Sequence, residues 1–298
     1  MVHVTTVLTV EFPEMLTPKL YGISLVKNED DIIAQALTYA LRYCTRIFVI
    51  DNGSTDETWH IIQSLSKQYP QIVPLLQTHA QFTNGLRGLA YNKYHAELSN
   101  HDWWLILDAD EFLAEDPQPV IQHAMRDKAD IIQSWQVQFY FTDLDYHDWL
   151  NGQDNRNLPI FVRRRYYNIN WQETRLFRND PALSWDIKIN KHFPDGLRKV
   201  CRRRILNRHY QFRDPEQIQK RLSLRFGNPL FPHVAPDWQS AIVCSRQLNF
   251  YKEGEPWRFS TSGLIYYYKF VLKSLYRAAV KRVVYERFHE IDPRQGIL

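Results

Sequence analysis

The sequence predicts an α/β fold: an open, doubly wound, mostly parallel sheet with helices on both faces and a C-terminal helical extension. Three observations predict it. Short apolar runs alternate with longer segments of helical period through the first half of the chain. The runs at 21–26 (YGISLV) and 103–107 (WWLIL) are apolar almost throughout, as strands buried on both faces are. A β-α-β-α order of this kind builds a sheet whose parallel strands are joined by crossover helices.

Taken in order, 21–26 is the first strand. Residues 31–43 form a helix, with Ile32, Ile33, Ala36, Leu37, Ala40 and Leu41 on one face. Residues 47–50 are the second strand. Ser54 followed by Glu57 reads as a capping box that opens a helix to Tyr69. Residues 72–76 form a strand, and Pro74 assigns it to an edge. Residues 85–98 are helical, and 103–107 is the fourth strand. Asp116-Pro117 starts a helix to Asp127. Residues 135–139 alternate as a strand with one wet face. Residues 143–170 read as a long polar and aromatic loop or hairpin region, and 174–177 (TRLF) returns to the sheet. Asp214-Pro215 opens a helix ending near Gly227. Pro229, Pro232 and Pro236 mark a linker, and a last helix runs over 263–288.

Composition bounds the class. The 298 residues, 44% hydrophobic and 23% charged, suffice for a large packed domain and argue against disorder. The net charge of +4 hides basic runs at 163–165 and 202–204, which suit an anionic ligand or a solvated face. The acidic strand ends argue against a nucleic-acid groove. Cys44, Cys201 and Cys244 are widely spaced with no C-x-x-C, which favours a reducing compartment. The N-terminus lacks a signal-peptide pattern, and no apolar run reaches the ~20 residues of a membrane span. A cytoplasmic chain is expected, soluble or peripheral at the inner face of a membrane.

In open α/β sheets, ligands bind beyond the carboxyl ends of the strands. Strand one is followed by Lys27-Asn28-Glu29-Asp30, strand two by Asp51-Asn52-Gly53-Ser54, and strand four by Asp108-Ala109-Asp110-Glu111. Three acidic clusters on one edge repel unless a cation sits among them or a ligand uses them separately. If Asp108-Ala109-Asp110 is extended, both carboxylates face one site. Their oxygens suit Mg2+ or Mn2+, which would neutralise a leaving diphosphate.

The segments VKNEDDII, VIDNGSTDET and LILDADEFL, in that order and spacing, resemble glycosyltransferase family 2 with the GT-A fold. The resemblance is good over 21–112 and looser to about Arg225. It implies a metal-dependent transfer, with inversion, of a sugar from a nucleotide-diphosphate sugar to an acceptor hydroxyl. The acceptor expected is a glycan, a glycolipid or another hydroxyl compound. By resemblance, Asn28, Glu29, Asp51, Arg87, Asn92 and Asp108 hold the nucleotide-sugar. Asp56 matches a further acidic position and reads equally as a first-turn helix residue. Asp108 and Asp110 match the metal motif, and His209 is the candidate third ligand. Arg213, Arg221 and Arg225 are candidates for phosphate or for the helix surface. Asp186 is the first choice for the base and Glu173 the second. Many relatives carry a His-Glu pair where this chain has Asn190 and Lys191.

These readings divide the chain into a lead-in at 1–19, a catalytic domain at 20–227 and a C-terminal extension at 228–298. The catalytic domain has a nucleotide-sugar half at 20–112 and an acceptor half at 113–227. The acceptor half gathers Trp135, Tyr140, Tyr146, Trp149, Trp171 and Trp185, whose rings suit sugar faces or core packing. Lys269, Lys273, Arg277 and Lys281 form a basic stripe on the last helix, which suits packing, a dimer contact or an anionic membrane surface. The competing functions are an inactive nucleotide-sugar-binding relative and a sugar-nucleotidyltransferase. The second usually needs a basic Gly-rich loop where this chain has KNEDD.

Overall fold

The structure, a computed structural model, describes residues 17–226 and 236–259. The helix expected over 263–288, with its basic stripe, lies outside them.

Strands β1 (Leu20–Val26), β2 (Arg46–Asp51), β3 (Ile72–Gln77) and β4 (Trp103–Ile106) form a parallel half-sheet in the order β3-β2-β1-β4. Alternate residues feed two cores. Leu20, Ile47, Val49, Trp103 and Leu105 face helices α1 (Ile33–Ala40), α2 (Thr58–Gln68) and α4 (Gln118–Arg126). Tyr21, Ile23, Phe48, Ile50 and Trp104 face α3 (Gly88–Tyr94). Burial on both faces is why these strands read as continuous apolar runs. As expected, β3 is the edge strand and contains Pro74.

Several local expectations are corrected. The box between Ser54 and Glu57 does not form. The Ser54 hydroxyl accepts the Asn28 N–H at 2.9 Å, and α2 starts after Glu57 without a side-chain cap. The helix expected over 85–98 is broken into a 3-10 turn at Asn84–Arg87, α3, and a second 3-10 turn at His95–Glu97. The expected loop at 143–170 contains α5 (Asp143–Leu150), α6 (Ile160–Arg163) and the start of a long strand, β7 (Tyr166–Arg178). Helix α5 is nucleated by a capping box in which Thr142 and Asp145 satisfy each other's N–H groups.

The second half-sheet is mixed. Strand β7 pairs antiparallel with β4 and with β6 (Ile131–Phe139). Strand β6 pairs parallel with β8 (Ile205–His209), and β8 pairs antiparallel with the short β5 (Glu111–Leu113). Helix α7 (Pro215–Arg225) follows, and β9 (Asn249–Phe250) lies against β7. The full order is β3-β2-β1-β4-β7-β6-β8-β5. Strands β4 and β5 are consecutive in the chain yet four steps apart in the sheet. A flat sheet would separate them by ~19 Å. The turn joining them, closed by Glu111 N–H to the Asp108 carbonyl at 3.1 Å, is too compact for that. The sheet therefore curls, and β7, β8 and the residues that follow β8 meet those that follow β1 and β4. Among the described residues, no helix is long and apolar enough to cross a membrane.

Candidate active site

Val26 pairs with Asp51 and Ile23 with Ile106, so the residues after β1, β2 and β4 share one edge. Asp51 is fully buried. Its Oδ1 accepts N–H bonds from Gly53 and Ser54 at 2.9 and 2.8 Å, and the Gln77 amide at 3.2 Å. Its Oδ2 is buried with no partner. A carboxylate held on one oxygen and bare on the other is built to accept a further donor. Asn28 braces this edge: with φ at 56°, its N–H reaches Ser54 and its Oδ1 accepts from Thr55 N at 2.8 Å.

Glu29 does not stand open to a ligand. Its carboxylate meets Arg213 at 2.5 Å and Arg221 at 3.6 Å. Burial pushes its pKa above the usual range, and Arg213 opposes the rise. Arg213 also holds Asp31 at 2.6 Å and is itself buried, so it is not exposed for phosphate. Asp56 lies just before α2 rather than in its first turn; it accepts from the Thr58 hydroxyl and pairs with Lys220 at 2.7 Å.

The Asp108–Asp110 segment is a turn, not the extended stretch expected. Its two carboxylates meet different cations. Asp108 is gripped by Arg87 at 2.5 Å and Arg175 at 3.2 Å. Burial raises its pKa, but the two guanidiniums bring it below the ordinary value. Asp110 faces His209 Nε2 at 3.4 Å, Arg221 at 3.0 Å and Arg213 at 3.9 Å. Burial opposes its charge, yet these cations hold its pKa well below the usual range. Burial disfavours the charged form of His209, and Asp110 outweighs that to raise its pKa. Arg225, one turn beyond Arg221 on α7, is pushed down to about 10 by burial and by Arg221.

Among the described residues, no group of three or more His, Cys, Asp and Glu side chains is gathered as a metal cage. Of the three expected ligands, Asp108 is held by Arg87 and Arg175, and Asp110 is held by Arg221 but also converges with His209. Two ligands about 2.1 Å from one ion lie ~3–3.5 Å apart. The 3.4 Å between Asp110 Oδ2 and His209 Nε2 matches that span, and the mixed oxygen–nitrogen donor set suits Mn2+ or Mg2+. The spacing therefore admits one divalent ion between the two, once Arg221 gives up Asp110 Oδ2.

Across the curl, Glu173 on β7 is half-exposed and joined to Asp108 through Arg175, which contacts Glu173 at 2.6 Å. Asp186 lies on an exposed loop, where its carboxylate accepts the Lys188 N–H at 2.9 Å. That loop rests directly on the backbone of Gly85 and Gly88. A Cβ on Gly85 would sit 2.6 Å from the Asp186 carbonyl. Asn92 is engaged by the backbone of the 185–189 loop. Its amide clasps Trp185 at both N–H and C=O, each at 2.8 Å. Arg87 does reach the site, carrying Asn84 at 2.6 Å, and Asn84 in turn bonds Asn190 at 2.8 Å.

Sequence reasoning placed Glu111 in an acidic cluster without a role and did not anticipate Arg175 or His192. Glu111 is buried among Arg175, Gln136 and Asn207, and burial pushes its pKa up to about 7 against the pull of Arg175. His192 approaches Asn84 at 3.3 Å, and burial, then Arg87 and Arg175, lower its pKa. Of the aromatic residues, Trp135 and Trp185 are core. Trp171 is half-buried beside the His209 ring, centroids 6.5 Å apart.

Comparison with known proteins adds a family. The model described as "Glycosyl transferase family 2" matches residues 23–206. An uncharacterized glycosyltransferase of Rickettsia prowazekii (strain Madrid E) is 32% identical over 106 residues, 35% of this chain and 32% of that protein. One of Rickettsia bellii (strain RML369-C) is 31% identical over 111 residues, 37% of this chain and 34% of that one. The chain thus spans about a third of the length of the curated relatives it matches. Two solved structures are similar. A mannosyltransferase from Pyrobaculum calidifontis in complex with GDP-Man and Mn2+ has 14% identity and a TM-score of 0.38, covering 65% of this chain and 57% of that one. GalNAc-T7 with UDP, GalNAc and Mn2+ has 13% identity and a TM-score of 0.39, covering 67% and 45%.

Proposed function

The chain belongs to glycosyl transferase family 2, and on that premise we propose that it moves a sugar from a nucleotide-diphosphate sugar to an acceptor hydroxyl, with inversion at the anomeric carbon. The observation that carries this reading is the meeting of two sets of acids. Asp51, Asp108 and Asp110 stand at the carboxyl ends of parallel strands, and Glu173 faces them from β7, tied to Asp108 through Arg175.

Asp51 Oδ2 accepts an N–H of the nucleoside base, supported by its burial and lack of a partner. Asp110 and His209 are the residues that would hold Mn2+ or Mg2+. When bound, the ion neutralises charge on the leaving diphosphate. Arg221 stands beside them, and its Nε is buried without a partner, which supports a phosphate contact there. Glu173 takes the proton of the acceptor hydroxyl as that oxygen bonds to the anomeric carbon. The bond from that carbon to the diphosphate oxygen breaks, and the nucleoside diphosphate leaves with its electron pair. General-base help of this kind contributes about 10²–10⁴ in rate. Glu173 is preferred to Asp186 because it is joined to the acid network, whereas Asp186 is exposed and bonded within its own loop. A glycan or glycolipid acceptor, met at the half-buried Trp171, completes the reading.

The experiment is nucleotide release from a panel of UDP- and GDP-sugars by wild type, Glu173→Gln and Asp186→Asn. Strong loss in Glu173→Gln with near-normal Asp186→Asn is expected. The reverse pattern returns the base to Asp186.

A further inference from the structure

Arg175 stands at an irregularity in β7. The β6–β7 register pairs Ile132 with Leu176 but Gln133 with Thr174, so Arg175 has no partner across the ladder. A second shift pairs Trp135 with Gln172 and Val137 with Ile169, so Asn170 and Trp171 together stand opposite the single residue Gln136. Glu173 lies between the two bulges, opposite Ser134. Bulges re-aim side chains and are common beside active sites.

The re-aimed guanidinium bridges both halves of the site. Its Nη2 meets Glu173 Oε2 at 2.6 Å and Asp108 Oδ2 at 3.2 Å, and it also contacts Glu111 Oε1. The side chain is only 4% exposed. Glu111 anchors it from beneath and is itself fixed by Asn207 at 2.6 Å and Gln136 at 3.2 Å. Gln136 also donates to Glu173 Oε2 at 2.9 Å. One oxygen of Glu173 thus carries two donors, while Oε1 has no bond among the described residues and its side chain is 38% exposed.

We infer that Arg175 is a positioning residue: seated on Glu111, it orients Glu173 so that Oε1 faces the acceptor, and it fixes the separation of Glu173 from Asp108 on the donor side. The inference rests on the reading of Glu173 as the base. A displacement of ~1 Å at such a group can reduce rate by 10²-fold. The three carboxylates converge on the one nitrogen Nη2, so a lysine ammonium placed there would keep part of the bridge, whereas methionine keeps none of it.

The test is a double-mutant cycle on Arg175→Met and Glu173→Gln. Nucleotide release is measured from the panel of UDP- and GDP-sugars with water as acceptor, and UDP and GDP affinity by calorimetry. Arg175→Met should lower kcat about 10²-fold with nucleotide affinity within about threefold. The double variant should be no slower than Glu173→Gln alone, because both changes disable one group. Arg175→Lys, which keeps a charge among the carboxylates and so guards against misfolding, should show the same non-additivity with a smaller loss. Multiplying effects, or affinity lost in step with kcat, would overturn the positioning role. Near-normal turnover in Glu173→Gln alone would instead overturn the base assignment.

Discussion

Arg213 offers a sharp test of how the donor edge is held together. It is buried, with bonds of 2.6 and 2.8 Å to Asp31, 2.5 Å to Glu29 and 3.1 Å to the Tyr210 carbonyl. Arg213→Met keeps most of the apolar stem and removes the cation. Two carboxylates, each only 16% exposed at the side chain, then lose their main partner. Breaking a buried pair in this way costs about 3–5 kcal/mol. At 2–4 °C per kcal/mol, Tm should fall by roughly 6–20 °C. The loss should depend on pH. Glu29 already has a raised pKa from burial, with Arg213 the largest influence lowering it. Without Arg213 it rises further. A group whose folded pKa lies above its unfolded value stabilises the fold at low pH and loses that contribution as pH rises through the folded pKa. The gap between wild type and variant should therefore be small near pH 4–5 and widen toward pH 8. Urea denaturation across that range reads it directly. A loss under about 1 kcal/mol at pH 7.5, or a gap that narrows as pH rises, would refute the ion-pair account.

Other outcomes follow from single contacts. Asp51→Asn, which keeps the Oδ1 acceptor, should weaken UDP or GDP binding by calorimetry about tenfold or more, because the bare Oδ2 is the acceptor offered to the nucleoside base. His209→Ala should weaken Mn2+ binding, titrated by its paramagnetic resonance signal, whereas Asp108→Asn should weaken it less, since Asp108 is held by Arg87 and Arg175. Gly85→Ala should destabilise by about 1–3 kcal/mol and loosen the 185–189 loop to proteolysis, because its Cβ would press on the Asp186 and Ile187 carbonyls. Thr142→Ala should cost about 1 kcal/mol in chemical denaturation by removing the cap of α5.

The parts of this molecule legible in its sequence are those decided locally. Apolar runs buried on both faces announce β1, β2 and β4, and Pro74 marks the edge strand. Because parallel strands end on a common edge, Asp51, Asp108 and Asp110 follow from strand order alone. The 143–170 region was not legible, since α5 packs through little more than Tyr146 and Trp149 and is stabilised by its Thr142–Asp145 cap. Ser54 reads as a cap only until its hydroxyl finds Asn28, a contact across two loops. The meeting of Glu111, Arg175 and Gln136 was hidden for a stronger reason. They meet only because the sheet curls and β5 pairs with β8, and Arg175 turns inward through a bulge that no periodicity reveals. Asn92 shows what local reading omits: its amide is engaged by the backbone of Trp185, a residue 93 positions away.

The central claim is that Asp110 and its neighbours activate a nucleotide-sugar for transfer. The direct measurement is release of nucleoside diphosphate from a panel of UDP- and GDP-sugars with Mn2+, comparing wild type with Asp110→Asn at equal fold stability. The account predicts release from at least one donor by wild type and a rate lower by about 10²-fold or more in Asp110→Asn. Release from no donor by wild type, or equal rates for the two proteins, would contradict it.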